Sequence, residues 1–158
     1  MNRKPKMLMA ALIAVSQSYA AKESIDTLKT YELQNVQVTS TRAGKHTPMA
    51  FSTLNKDQIK KINHGQDIPF LLSLTPSVTT TSDAGNGIGY TSLKVRGTDP
   101  SRINFTANGI PVNDAESSQV FFVNMSDFMS SVKDLQIQRG VGTSTNGSAA
   151  FGATVNMQ

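Results

Sequence analysis

Hydrophobic and polar positions alternate with period two in several short runs, the signature of half-buried strands. Leu93 and Val95 alternate with Lys94 and Arg96, and Ile103, Phe105 and Ala107 with Asn104 and Thr106. Leu135 and Ile137 alternate with Gln136 and Gln138, which predicts the aliphatic pair inward and the two glutamines outward. Asn108-Gly109 closes the second run. Both residues accept positive φ, so a type I′ hairpin is predicted there, with 110–112 as the return strand. Pro111 has no donor, so that strand is an edge or ends at it. Residues 49–54 and 77–81 read as further short strands. The stretch 90–109 reads as the frame of the sheet, with 82–89 a flexible glycine-rich loop leading into it and 113–119 a polar loop leading away.

Helical signals are short. Asn55 is an N-cap for 56–62, with Gln58 completing a capping box. Ile68, Phe70, Leu71, Leu72 and Leu74 form the most apolar stretch. It predicts one buried helix face, starting near Gln66 and stopping before Pro76, because the residue before a proline disfavours the helical region. Each large side chain buried there contributes roughly 1.5–3 kcal/mol. The apolar run at 120–129 predicts a short helix started by Asn124 or Ser126. Interleaved short strands, short helices and long loops make an α+β domain with a small mixed β-sheet.

The first twenty residues differ in kind. Arg3, Lys4 and Lys6 precede the apolar run 7–15, and Ser18-Tyr19-Ala20 supplies small residues at the end. This is the pattern of a secretory signal peptide cut after Ala20. Nine helical residues rise about 14 Å, too short for roughly 30 Å of hydrocarbon. Removing the leader changes the charge picture. The whole chain carries 15 basic and 11 acidic residues, net +4. Three of the basic residues and none of the acidic ones lie in the leader, so the mature chain is close to neutral. A nucleic-acid partner loses its support, since it needs a basic patch on the folded domain. The chain has no cysteine, hence no disulfide framework or thiolate metal site.

The usual catalytic patterns are missing. Gly85, Gly87 and Gly89 precede a strand, whereas a dinucleotide loop must open a helix. The glycine spacing at 142–147 has Ser148 where a phosphate-binding lysine belongs. His46 and His64 lie on polar segments and read as surface residues. Asp83, Asp99, Asp114 and Glu116 are loop carboxylates explained by turn chemistry, with no EF-hand spacing. No enzymatic activity, metal or cofactor is expected.

Two features remain. Leu33, Val36 and Val38 make a β-prone segment at the start of the mature chain, either an edge strand or a strand donated to another protein. Arg96-Gly97 and Arg139-Gly140 end two strands in the same way.

Taken in order, these segments resemble the plug domain of TonB-dependent outer-membrane receptors. The resemblance rests on Val36-Gln37-Val38-Thr39-Ser40-Thr41-Arg42, Leu71-Leu72 through Pro76-Ser77-Val78, Leu93-Lys94-Val95-Arg96-Gly97, Asn108-Gly109-Ile110-Pro111-Val112-Asn113-Asp114, Leu135 to Gly140, and Gly147 through Asn156. It implies a plug sitting inside a β-barrel of about 22 strands with a wet, polar lumen. It implies a TonB box at Gln34, Asn35, Val36, Gln37, Val38, Thr39 and Ser40, added as a strand to TonB and its inner-membrane energising complex. Arg96 and Arg139 would face the barrel wall. Asp83, Asn86, Ile88, Asn113, Asp114, Glu116 and Ser117 would face a small-molecule ligand, an iron chelate, haem or cobalamin. The expected division is leader 1–20, a flexible periplasmic segment 21–45, plug 46–152 and the start of the barrel at 153–158. On this reading the chain is the N-terminal part of a longer outer-membrane receptor whose barrel is missing here. The rival is a free-standing periplasmic binding module.

Overall fold

The computed structural model describes residues 40–142, 146–147 and 150–158. The leader and residues 34–39 lie outside the described residues. Strand β1 (Ala50–Asn55) runs straight into helix α1 (Lys56–Ile62). The predicted capping box is present. Gln58 N donates to Asn55 Oδ1 at 2.9 Å, and Asn55 N donates to Gln58 Oε1 at 2.9 Å. These two bonds satisfy donors that a helix start leaves free. Lys60 and Lys61 sit in the last turn, where cations suit the helix dipole.

Helix α2 (Ile68–Leu71) is shorter than its apolar pattern predicts. Past Leu71 the chain closes tighter turns. Ser73 N donates to Phe70 O, its hydroxyl bonds the same carbonyl at 2.7 Å, and Thr75 N donates to Leu72 O. The following Pro76 keeps Thr75 out of the helical region. Leu74, expected on the buried face, is therefore 83% exposed. The apolar run near 120–129 likewise makes two 3₁₀ turns, Phe122–Met125 and Phe128–Ser131, in place of one short helix. Asp127 between them sits at φ +52°. That left-handed conformation, which aspartate tolerates better than most residues, ends helical continuation.

Strands β2 (Val78–Ser82) and β3 (Thr91–Val95) pair antiparallel as a separate two-stranded sheet. The main sheet has five strands in the order β1-β6-β7-β4-β5, where β4 is Ile103–Ala107, β5 Ile110–Pro111, β6 Asp134–Arg139 and β7 Ala153–Met157. Among the described strands only β4 and β7 pair in parallel, so the sheet is mixed as expected. The stretch 90–109 is thus shared between two sheets and is not the frame of one. The hairpin forms as predicted, with Asn108 and Gly109 at φ +50° and +82°. β5 is a two-residue edge strand ending at Pro111.

β7 lies in the middle of the sheet, between β6 and β4, so 153–157, expected to begin a barrel, pairs within this sheet. At the other end, Ala43 is buried and hydrogen-bonded to Gln136, so the domain starts before residue 46.

The sheet has two unlike faces. One carries Leu135, Ile137, Val155, Met157, Ile103 and Phe105 into a hydrophobic core with Ile68, Leu71, Leu72, Phe122 and Met129. Phe105 and Phe122 meet edge to face at 5.2 Å, a favoured aromatic geometry. The other face aligns Asn104 and Thr106 with Thr154 and Asn156, and these with Gln138 and Gln136. The two glutamines expected outward are instead buried, at 4% and 1% exposure. Alternation distinguishes the two faces but not whether the polar one is wet. Here residues 41–43 and Asn146 cover it, and the side chains bond to one another. Asn146 Nδ2 donates to Gln138 Oε1 at 3.0 Å, Gln138 Nε2 to Gln136 Oε1 at 2.9 Å, and Thr106 Oγ1 to Asn156 Oδ1 at 2.6 Å. Satisfaction of this kind is what allows polar groups to be buried.

Candidate functional site

The glycine loop expected to be flexible is seated on α2. Asp67 N donates to Gly87 O at 2.9 Å and Gln66 Nε2 to Asn86 O at 3.2 Å. Gly87 N donates to the Ser82 hydroxyl at 3.3 Å. Gly87 holds φ +80°, and a Cβ there would lie 2.8 Å from the Phe70 ring. Only glycine fits both the conformation and the contact. Beneath the loop, the Thr91 hydroxyl donates to the buried carboxylate of Asp67 at 2.8 Å. Asp83, Asn86 and Ile88 are exposed on this loop. Asn86 Oδ1 accepts from Ile88 N at 3.1 Å.

The second loop is organised by Asn113 and Asp114. Asn113 faces the sheet edge. Its Oδ1 accepts from Phe105 N at 2.8 Å, and its Nδ2 donates to Ile103 O at 2.9 Å and Ser118 O at 2.8 Å. It extends β5 one rung beyond the point where Pro111 ends regular pairing. Asp114 Oδ2 accepts from Ser117 N at 2.8 Å, the Ser117 hydroxyl at 2.9 Å and Glu116 N at 3.2 Å. The Ser117 backbone and hydroxyl bonds hold its carboxyl below the ordinary value of 3.8 against a smaller opposing effect of desolvation, and the Glu116 amide adds a lesser lowering. The Ser101 hydroxyl and amide do the same for Asp99. A depressed folded pKa contributes stability that is present above the unfolded value and lost as pH falls through the folded one. The window for Asp114 therefore lies below about pH 3.8. Ser117→Ala keeps the amide bond and removes the hydroxyl one. It is expected to bring the Asp114 carboxyl part of the way back towards 3.8 in an NMR titration. An unmoved midpoint would exclude a contribution from the hydroxyl.

The end of the glycine loop and the segment 119–123, which leaves the second loop, line one cleft of about 220 Å³. Asp83, Gly89 and Tyr90 line it from the first side, and Gln119, Phe121 and Val123 from the second, over a floor including Leu93 and Phe105. Tyr90 is 70% exposed and Phe121 48%. Of the residues expected to face a ligand, only Asp83 lines this cleft; Asn86, Ile88, Asn113, Asp114, Glu116 and Ser117 do not. The sequence reading missed Tyr90, Phe121 and Val123. Phe121 and Val123 sat in an apolar run that reads as core. The sequence carries no signal for them, because the run reads as one helix and only the structure breaks it into two 3₁₀ turns.

The two Arg-Gly turns meet at one corner. Arg96 N donates to Ser77 O at 2.8 Å and Arg139 Nη1 to Pro76 O at 3.1 Å. A Cβ on Gly140 would lie 3.2 Å from Arg96 Nη1, so the Arg96 guanidinium rests against the second turn. Arg96 itself holds φ +51°. Among the described residues, neither arginine pairs with a carboxylate, and Arg139 Nε is buried without a partner. Of the proposed TonB-binding residues only Ser40 is described, exposed in a turn. Among the described residues, no group of three or more His, Cys, Asp or Glu is placed to hold a metal.

A family model described as TonB-dependent Receptor Plug Domain matches residues 43–154. No curated protein sequence matches the chain. Solved structures do. A ferric enterobactin receptor, PfeA, superimposes with TM-score 0.54 at 20% identity over 75% of this chain and 18% of its own. The alcaligin outer-membrane receptor FauA of Bordetella pertussis gives 0.51 at 23% identity over 71% and 18%. The copper transporter OprC gives 0.53 at 17% identity over 68% and 16%. The chain thus spans less than a fifth of the length of these proteins, and at such identities the likeness shows the fold alone. With the family match covering most of the chain and the mixed sheet matching in fold, this chain belongs to the TonB-dependent receptor plug domains.

Proposed function

We propose that the chain gates a TonB-dependent receptor of the outer membrane, as a plug inside a barrel of about 22 strands. Energised uptake of a scarce small ligand, an iron chelate, haem or cobalamin, is the activity in which it takes part. It binds and moves and does no covalent chemistry. The observation that carries this reading is a cleft within a plug fold, lined by the end of the glycine loop and by the segment 119–123. Asp83, Tyr90 and Phe121 there offer a carboxylate, a phenol and an aromatic face. Asn86, Ile88, Asp114, Glu116 and Ser117 lie on the two loops and contact the ligand from the rim, while Asn113 positions the second loop. After the leader 1–20 is removed, residues 34–40 reach the periplasm. There Gln34, Asn35, Val36, Gln37, Val38, Thr39 and Ser40 add as a strand to TonB through backbone hydrogen bonds.

Arg96 and Arg139 face acidic groups of the barrel wall. Among the described residues neither has a carboxylate partner, which supports this, since covering the exposed Arg96 with a wall that offered none would cost several kcal/mol. Siderophore and copper proteins both occur among the structural neighbours, which keeps the ligand class broad.

Val38→Pro in the full-length receptor tests the TonB assignment. Proline removes one donor and restricts the backbone of an added strand. Energised uptake should be abolished and ligand binding retained. Unchanged uptake would remove residues 34–40 from the mechanism.

A further inference from the structure

Residues 41–43 cross the polar face of the main sheet, held almost entirely by side chains of the strands beneath. Thr41 O accepts from Gln138 Nε2 at 2.8 Å and from Asn156 Nδ2 at 3.2 Å. Arg42 Nη2 donates to Asn156 O at 3.3 Å, and its guanidinium pairs with Asp134. Gln136 holds Ala43 from both sides, accepting from its N at 2.8 Å and donating to its O at 3.1 Å. The primary amide of Gln136 thus takes the place of a neighbouring peptide group.

Lifting these residues differs physically from opening the apolar face of the sheet. None of the three belongs to the hydrophobic core cluster, and the one apolar side chain among them, buried Ala43, is a single methyl group. Each hydrogen bond that holds them contributes on the order of 0.5–1.5 kcal/mol net, because water replaces it when it breaks. The groups uncovered, Gln136, Gln138 and Asn156, are all hydrogen-bonding ones. Opening the other face would expose aliphatic and aromatic surface at roughly 25 cal/mol per Å². The six paired positions of β1 and β6 do not depend on these contacts.

We propose that residues 41–43 are a releasable strap. They open as a local unit and admit water to the amide row while the five-stranded sheet stays paired. The uncovered row is a hydrophilic surface across β6 and β7 that a polar solute can wet. In the receptor, the strap is the first part of the plug to feel tension applied through residues 34–40. That use rests on the TonB reading; the strap itself does not.

Hydrogen exchange on the full chain, with no TonB present, tests it. Among the described residues, the Ala43 amide bonds only to the Gln136 side chain. It should be protected, yet exchange at least about tenfold faster than the amides of β6 and β7, as local opening requires. Arg42→Ala should speed Ala43 by about a further tenfold and leave β6 and β7 unchanged. Ala43 exchanging in step with β6 and β7 would mean no separate opening. Exchange at the unprotected rate would mean no strap. Either overturns the proposal. A Val38→Pro receptor with normal uptake would defeat the TonB reading and leave this result untouched.

Discussion

Gly152→Ala is expected to destabilise the chain by about 1–3 kcal/mol, the usual cost of overpacking, and to lower its urea midpoint accordingly. Gly152 sits where β7 begins, and its backbone is in a conformation any residue adopts, so the penalty is purely one of space. Its N donates to Arg102 O at 2.8 Å, and Gly140 N donates to its carbonyl at 2.8 Å. A Cβ would stand 2.8 Å from Thr98 Cβ, closer still to Thr98 Oγ1, and 3.1 Å from Arg102 O. Thr98 cannot simply turn away, because its hydroxyl donates to Val95 O at 2.7 Å. Arg102 O belongs to the main chain and moves only with the start of β4. The first rung of the parallel pair, Ile103 with Ala153, lies next to this contact. Gly44→Ala is the control: nothing lies within 4 Å of its Cβ position, and a surface change of this kind stays within about 0.5 kcal/mol. Equal midpoints for the two variants would show that the domain relaxes around residue 152.

Asn113→Ala should destabilise the domain by about 2–3 kcal/mol and free the loop 114–119. Three backbone groups, Phe105 N, Ile103 O and Ser118 O, lose their partner together. A partly buried group left unmade costs roughly 1–3 kcal/mol, less where water reaches it. Asn113→Asp is the sharper variant. It keeps the acceptor for Phe105 N but sets a carboxylate against two carbonyl oxygens, so its loss should be comparable. Denaturant titration reads the stability, and hydrogen exchange at the Phe105 amide reads the bond. If Asn113→Ala costs under about 0.5 kcal/mol, the scale of an ordinary surface change, Asn113 does not anchor the loop. The functional consequence lies in the cleft. Gln119, Val120 and Phe121 follow directly from this loop, so detaching it moves one wall relative to Asp83 and Tyr90.

Local chemistry was legible in the chain. The Asn55–Gln58 box, the Asn108-Gly109 hairpin, the edge character of Pro111 and most strand cores depend on residues within a few positions of one another. Short-range sterics and hydrogen bonding decide such features wherever the segment lies. The ordered set of motifs likewise identified the plug family, because many weak local signals in one order are specific together.

Other features required distant residues to meet. The glutamines of β6 alternate as solvent-facing residues do, and only a segment 93 positions away buries Gln136. Whether 82–89 was flexible depended on Phe70 and Asp67 lying beneath it. Leu74 and Phe121 have core-like neighbours in sequence but no core to enter. The seat of 153–157 followed from strand pairing, since a strand beginning after a glycine tract looks alike at a plug's centre and at a barrel's edge. Local pattern determines which face of a strand is apolar; only the assembled sheet determines what covers the other face. Among the described residues that cover is 41–43 with Asn146, held by hydrogen bonds that water can replace.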